Sequence, residues 1–260
     1  MAVTPSDEPP TGLIASVRAV GREPEPARAG QRWGFGAFLL VEAIFVLSAV
    51  FITAVARTSG TDLARSVTFI LIGSMVPTVL AAGVAVAITY LRGNGPFHDL
   101  RLAWDWADVK VGLKLGALGL VLTYVAAVIW SKAVGDKNAT SAIGELVDGA
   151  GLPLSAAIVM FLYVCFLGPV CEEVVYRGLL WGAIERQRWS RWAAFVLTTV
   201  IFAASHLEPL RTSLLIVIAL PIGIARLITR RLTASVVAHV INNFLPGLTL
   251  LLVSIGVMPA

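Results

Sequence analysis

Seven stretches of this chain run on with almost no charge: residues 35–56, 66–91, 109–131, 152–184, 192–208, 212–229 and 233–256. About 20 apolar residues are what a helix needs to cross a bilayer. Hydrocarbon offers the backbone no hydrogen-bonding partner, so only helices or closed barrels can span it. A membrane barrel shows alternating short strands, and the runs here are continuous. The expected class is all-α: a polytopic transmembrane helical bundle of 7–8 spans. The fourth run is too long for one straight crossing and carries Gly168-Pro169 at its middle. Proline removes a backbone donor and clashes with the preceding turn, so a broken helix is expected there, and the span count depends on it.

Composition closes the other classes. Apolar residues make up 57% of the chain and charged residues 14%, against about 25% charged in a soluble domain. A soluble enzyme, a disordered chain and a disulfide scaffold are excluded. The net charge of +4 does not point to nucleic acid, because the cations sit between the apolar runs. With the N-terminus cytoplasmic and the fourth run counted as one crossing, the inside loops hold Arg92, Arg101, Lys110, Arg186, Arg188, Arg191, Arg226, Arg230 and Arg231, beside Arg18, Arg22, Arg28 and Arg32 of the tail. The outside loops hold Arg57, Arg65, Lys132, Lys137 and Arg211. That bias obeys the positive-inside rule. Residues 1–33, rich in Pro, Glu and Arg, lack the apolar core of a signal peptide and read as a disordered cytoplasmic tail. Residues 34–151 form an N-terminal three-span region, and 152–256 a helical core with the polar residues that matter.

Ionisable groups inside apolar spans are costly, about 2.5–3.5 kcal/mol for a central charge on insertion scales. Each needs a partner or a function. The segment CEEVVYRGLL supplies Glu172, Glu173 and Arg177. Glu173 and Arg177 are i,i+4 neighbours and are expected to pair. Glu172 points about 100° away on a regular helix and lacks a local partner, which suits a general base. His206 and His239 lie in apolar runs, whereas His98 sits in a polar loop and reads as solvated. Asn243 shares a helical face with His239, and Asn242 points elsewhere. Counting outward from the loop near residue 189 puts Glu172 and His206 at matching depth. His239 falls closer to the cytoplasmic face by roughly 10 Å if the spans are straight.

A carboxylate and an imidazole can activate water against an amide carbonyl, and a second imidazole with an Asn amide can donate to the oxyanion. The set carries zinc-compatible donor types, but not the HExxH spacing, so zinc is possible and no cofactor is required. Other polar and small residues have structural explanations. Glu42 reads as lying near the interface or paired with a neighbouring helix. Trp33, Trp104, Trp106, Trp130, Trp189 and Trp192 read as an interfacial belt. Gly112, Gly116 and Gly119 suit close helix packing, and Cys165 and Cys171 read as buried thiols.

These residues resemble the CAAX prenyl protease 2 and bacteriocin-processing family of intramembrane endopeptidases, also called CPBP or Abi. Its EExxxR motif is matched by Glu172, Glu173 and Arg177, with Tyr176 where Phe is common. Its FxxxH motif is matched by Phe202 and His206, and HxxxN by His239 and Asn243. The resemblance covers roughly 152–250 and implies an integral, multi-pass membrane peptidase, in the plasma membrane if bacterial. Its substrate would be a peptide or protein, membrane-anchored or not, prenylated or not. By motif position Glu172 and His206 activate water, His239 and Asn243 stabilise the oxyanion, and Glu173 and Arg177 hold the site in shape. Members have been called metalloproteases, and a glutamate mechanism without metal is also argued for them. The competing readings are a non-catalytic peptide-binding or immunity protein, which an intact motif set disfavours, and a proton-coupled transporter, disfavoured because no internal repeat is visible.

Overall fold

The computed structural model describes residues 12–21, 28–58, 66–135, 144 and 152–258. All its elements are helices. A short α1 (Leu13–Arg18) precedes α2 (Phe35–Thr58) and α3 (Val67–Arg92). A single turn, α4 (Pro96–Asp99), leads into α5 (Trp106–Val134). Then come α6 (Leu154–Arg186), α7 (Arg191–Ser205), α8 (Thr212–Thr229) and α9 (Leu232–Ser254). Six of these, α2, α3, α5, α6, α8 and α9, are long and apolar enough to cross a membrane. α7 is apolar but has only 15 residues.

The helix starts follow from their caps. Ser66, Asp105 and Ser190 each accept a backbone N–H of the first turn with their side chains, satisfying donors that an unpaired helix end leaves open. Between α5 and α9 the close approach depends on glycine. A Cβ on Gly112 would lie 2.7 Å from Ala234 O, and one on Gly116 would lie 2.7 Å from Ile241 Cβ. Only hydrogen fits there, as the spacing of these glycines suggests.

The expected break at Gly168-Pro169 is replaced by something subtler. α6 is one helical run of 33 residues. It contains two π-helical segments, Tyr163–Leu167 and Val174–Leu180, on either side of an α-helical Gly168–Glu173. The wider π turn absorbs the proline. Gly168 N–H donates to Tyr163 O, and Pro169 has no N–H to offer Val164 O. Asn243 Nδ2 supplies that donor from α9 at 3.1 Å. A side chain of another helix thus repairs the ladder, and the helix continues.

The reading of 1–33 as a disordered tail also needs correction where the structure describes it. Residues 1–11 and 22–27 lie outside the described residues. Leu13–Arg18 is helical, and Val20 and Trp33 are buried. Arg28 pairs with Glu185 and donates to the Asp99 carbonyl. Gln31 donates to Gly182 O, and Trp33 Nε1 donates to Asp99 at 2.9 Å. Trp33 is therefore an anchor in the protein rather than a belt residue. Buried polar groups require partners, and the segment 28–33 is held because it supplies them. Cys165 and Cys171 are free and buried, as expected.

Candidate active site

Three helices bring the polar motif residues together. The π segment Val174–Leu180 of α6 is buried throughout, and π turns inside helices are frequent at functional sites. Glu173 Oε1 lies 2.9 Å from Arg177 Nη1, with both side chains fully buried. The expected i,i+4 ion pair is present. The flat face of Arg177 lies over the Phe202 ring, 4.5 Å from its centroid. A desolvated guanidinium gains from the ring quadrupole there.

His239 reaches the same pair from α9. Its Nδ1 is 3.0 Å from Glu173 Oε1, and its Nε2 is 3.6 Å from Glu172 Oε2. The imidazole sits between the two glutamates, one nitrogen toward each. The depth gap inferred from straight spans does not exist. Neighbouring carboxylates on α6 converge on one ring, which a count of residues along straight helices cannot anticipate. The second contact is longer than a hydrogen bond. Side-chain exposure separates the members: 26% for Glu172, 3% for His239 and none for Glu173. Glu172 is the carboxylate left facing open space.

That space is a cavity of about 340 Å³, lined among others by Glu42, Tyr163, Glu172, Tyr176, Ser205 and His206. His206 caps the C-terminus of α7. Its Nδ1 is 2.8 Å from the Phe202 carbonyl oxygen, so Nδ1 carries the proton and Nε2 is the ring atom left for chemistry. Glu172 and His206 therefore share the cavity, as their matching depth suggests. His239 backs Glu172 and is not on the cavity wall. Asn243 is half-buried, with its amide on the Val164 carbonyl. Asn242 points to α5, accepting from Thr123 Oγ1 at 2.9 Å.

Phe202 organises the site. Its ring centroid lies 5.3 Å from that of Tyr176, 4.8 Å from His206 and 5.7 Å from His239, each edge-on. Edge-to-face contacts of this kind fix ring orientation. Sequence reasoning used Phe202 only as a motif marker. It also missed Tyr176, whose hydroxyl donates to Ser205 Oγ at 2.6 Å. Ser205 in turn donates to the Phe202 carbonyl at 2.9 Å. The available signal was a hydroxyl where the motif usually has none. His98 is exposed, as read.

The donor set does not match a metal centre. Among the described residues no group of three or more His, Cys, Asp or Glu is placed to hold an ion. Both nitrogens of His239 face carboxylates, which leaves that ring no nitrogen for an ion.

Residues 154–245 match the family model of the Type II CAAX prenyl endopeptidase Rce1-like proteins. No curated protein and no solved structure matches the chain. Glu172, Glu173, Arg177, His206, His239 and Asn243 all fall inside the matched segment, and Glu42 falls outside it. Its long apolar helices mark the chain as an integral membrane protein, and its residues 154–245 are similar to the Rce1-like type II CAAX prenyl endopeptidase family.

Proposed function

We propose that the protein is an intramembrane endopeptidase that hydrolyses a peptide bond of a membrane-associated peptide or protein. The observation that carries the reading is the shared cavity. Glu172 and His206 face one space inside the matched domain, with His239 buried behind Glu172.

Glu172 is the general base. It takes one proton from a water whose oxygen attacks the carbonyl carbon, while His206 Nε2 orients that water. The tetrahedral intermediate collapses as the C–N bond breaks. The proton held by Glu172 passes to the leaving nitrogen, giving an amine and a carboxylic acid. His239 orients Glu172, and the Glu173–Arg177 pair holds His239. Asn243, like His239, stands off the cavity wall, and its amide on the Val164 carbonyl steadies α6 behind Glu172. No step passes through a metal. The charge bias of the loops favours a cytoplasmic N-terminus.

The test uses purified full-length protein in lipid nanodiscs and two internally quenched peptides. Both end in Cys-Val-Ile-Met, one S-farnesylated and one with a free thiol. Wild type is expected to cut at least one, with activity surviving a chelator. Glu172→Gln keeps shape and hydrogen bonding and loses the base, so turnover should fall by about 10²-fold or more with peptide binding retained. Full turnover by Glu172→Gln would overturn the mechanism. Peptide binding without cleavage by wild type would identify a binding protein instead.

A further inference from the structure

The described region outside the matched domain contributes one charged side chain to the cavity wall. Glu42 lies about two turns into α2, in the middle of an apolar run. Its helical face explains where it points. Phe38 packs edge-on against Tyr176, with centroids 6.2 Å apart. Glu42, Phe45 and Ala49 follow at helical spacing and line the cavity with Glu172 and His206. Glu42 shares the cavity wall with Tyr176 and His206, within electrostatic reach of both. No Lys or Arg lines the cavity. A carboxyl group in a membrane span is expensive unless it is partnered or used, and the partners here are the groups around His206.

The connection is continuous. Tyr176 donates to Ser205, and Ser205 donates to the Phe202 carbonyl. That carbonyl also receives His206 Nδ1. Glu42 thus faces His206 across one cavity, beside the hydroxyl chain that shares the anchoring carbonyl of His206.

We propose that Glu42, on the first span and outside the matched domain, is a positioning residue of the active site that acts through His206. The proposal rests on the peptidase reading above. From the cavity wall Glu42 favours, by its charge, the ring orientation that leaves Nε2 facing the cavity. It does not touch the scissile bond.

The chain has three histidines, so ring-15N-histidine labelling of the full-length protein in nanodiscs gives few signals, assignable by replacing His98 and His206 in turn. In Glu42→Gln the His206 ring resonances should move while those of His98 stay. On whichever peptide the wild type cuts, kcat should fall by about 10- to 100-fold, the scale of a small misplacement, with KM within about twofold. Glu42→Asp should recover part of kcat. Unmoved His206 resonances together with a kcat within about twofold of wild type would overturn the proposal. A wild type that cuts neither peptide defeats the peptidase reading, and the resonances still decide whether Glu42 is coupled to His206. A fall in kcat with unmoved His206 resonances, or one that Glu42→Asp does not relieve, would also overturn it.

Discussion

α2 and α6 are both long apolar spans, and they are used in opposite ways. In its most apolar window α2 is 11% buried within the protein, whereas α6 is 44% buried. Leu47, Val50 and Phe51 of α2 are turned outward. Val174 to Leu180 of α6 are buried without exception, Arg177 included. Apolarity therefore marks a segment for the membrane without saying whether lipid or protein will cover it. Burial in protein goes to the helix that carries the charges, because an ion pair in hydrocarbon must be enclosed by its partners. α2 contributes one ionisable group, Glu42, to the cavity wall.

The contrast can be broken most sharply at Arg177. Arg177→Ala leaves Glu173 buried beside His239 with its counter-charge gone, and one-sided loss of a buried pair costs about 3–5 kcal/mol. Urea denaturation in detergent should show a loss on that scale, together with loss of cleavage. Unchanged stability would mean that the pair is not what closes α6 in.

A smaller effect is expected where α5 meets α9. A methyl at Gly116 would sit 2.7 Å from Ile241 Cβ, so Gly116→Ala must push the helices apart. Overpacking of this kind costs about 1–3 kcal/mol. Leu47→Ala on the outer face of α2 should stay within about 0.5 kcal/mol. Equal effects from the two substitutions would erase the distinction between protein-facing and lipid-facing spans.

A modest, pH-dependent effect is expected at the anchor of the N-terminal segment. Burial opposes ionisation of Asp99. Hydrogen bonds from Trp33 Nε1 and from the Asn94 side chain and backbone outweigh it, holding the carboxyl below the usual Asp range. A depressed carboxylate stabilises the fold above its unfolded pKa, near 3.9. That contribution fades as pH falls through the lower folded value. Wild type should therefore lose stability below about pH 4, and Asp99→Asn should flatten that decline while costing about 1 kcal/mol at neutral pH. An unaltered pH dependence would remove Asp99 from the anchor.

Much of the site was legible because helical periodicity is local. The pairing of Glu173 with Arg177 follows from four residues of spacing, and the divergence of Asn242 from Asn243 follows from one. Depth counting put Glu172 with His206, since both stand at similar distances from a short loop. The same counting failed for His239, because it assumed straight, uniformly wound helices. α6 contains two π segments, and each changes the rotation and rise of everything beyond it. Glu42 was visible as an oddity in an apolar run, yet its partners lie more than 100 residues away in the sequence. The anchoring of Arg28, Gln31 and Trp33 was hidden for the same reason. A polar, proline-rich composition describes what a segment can do alone, and not which buried carboxylates await it elsewhere.

By itself the sequence determined the solvent and the element type. Apolar runs of this length must enter a bilayer, and a chain in a bilayer must satisfy its backbone within each helix. It also determined the i,i+4 pair and the residue types available for acid–base chemistry. Only the tertiary structure decided which glutamate faces the cavity, what stands behind it, and that α2 joins the site. It also decided that the proline at 169 bends no chain apart, because Asn243 from another helix meets the carbonyl it leaves unpaired. The physical reason is one of range. Hydropathy and helical spacing act over a few residues, whereas the partner of a buried polar group is chosen by packing between helices that the sequence keeps far apart.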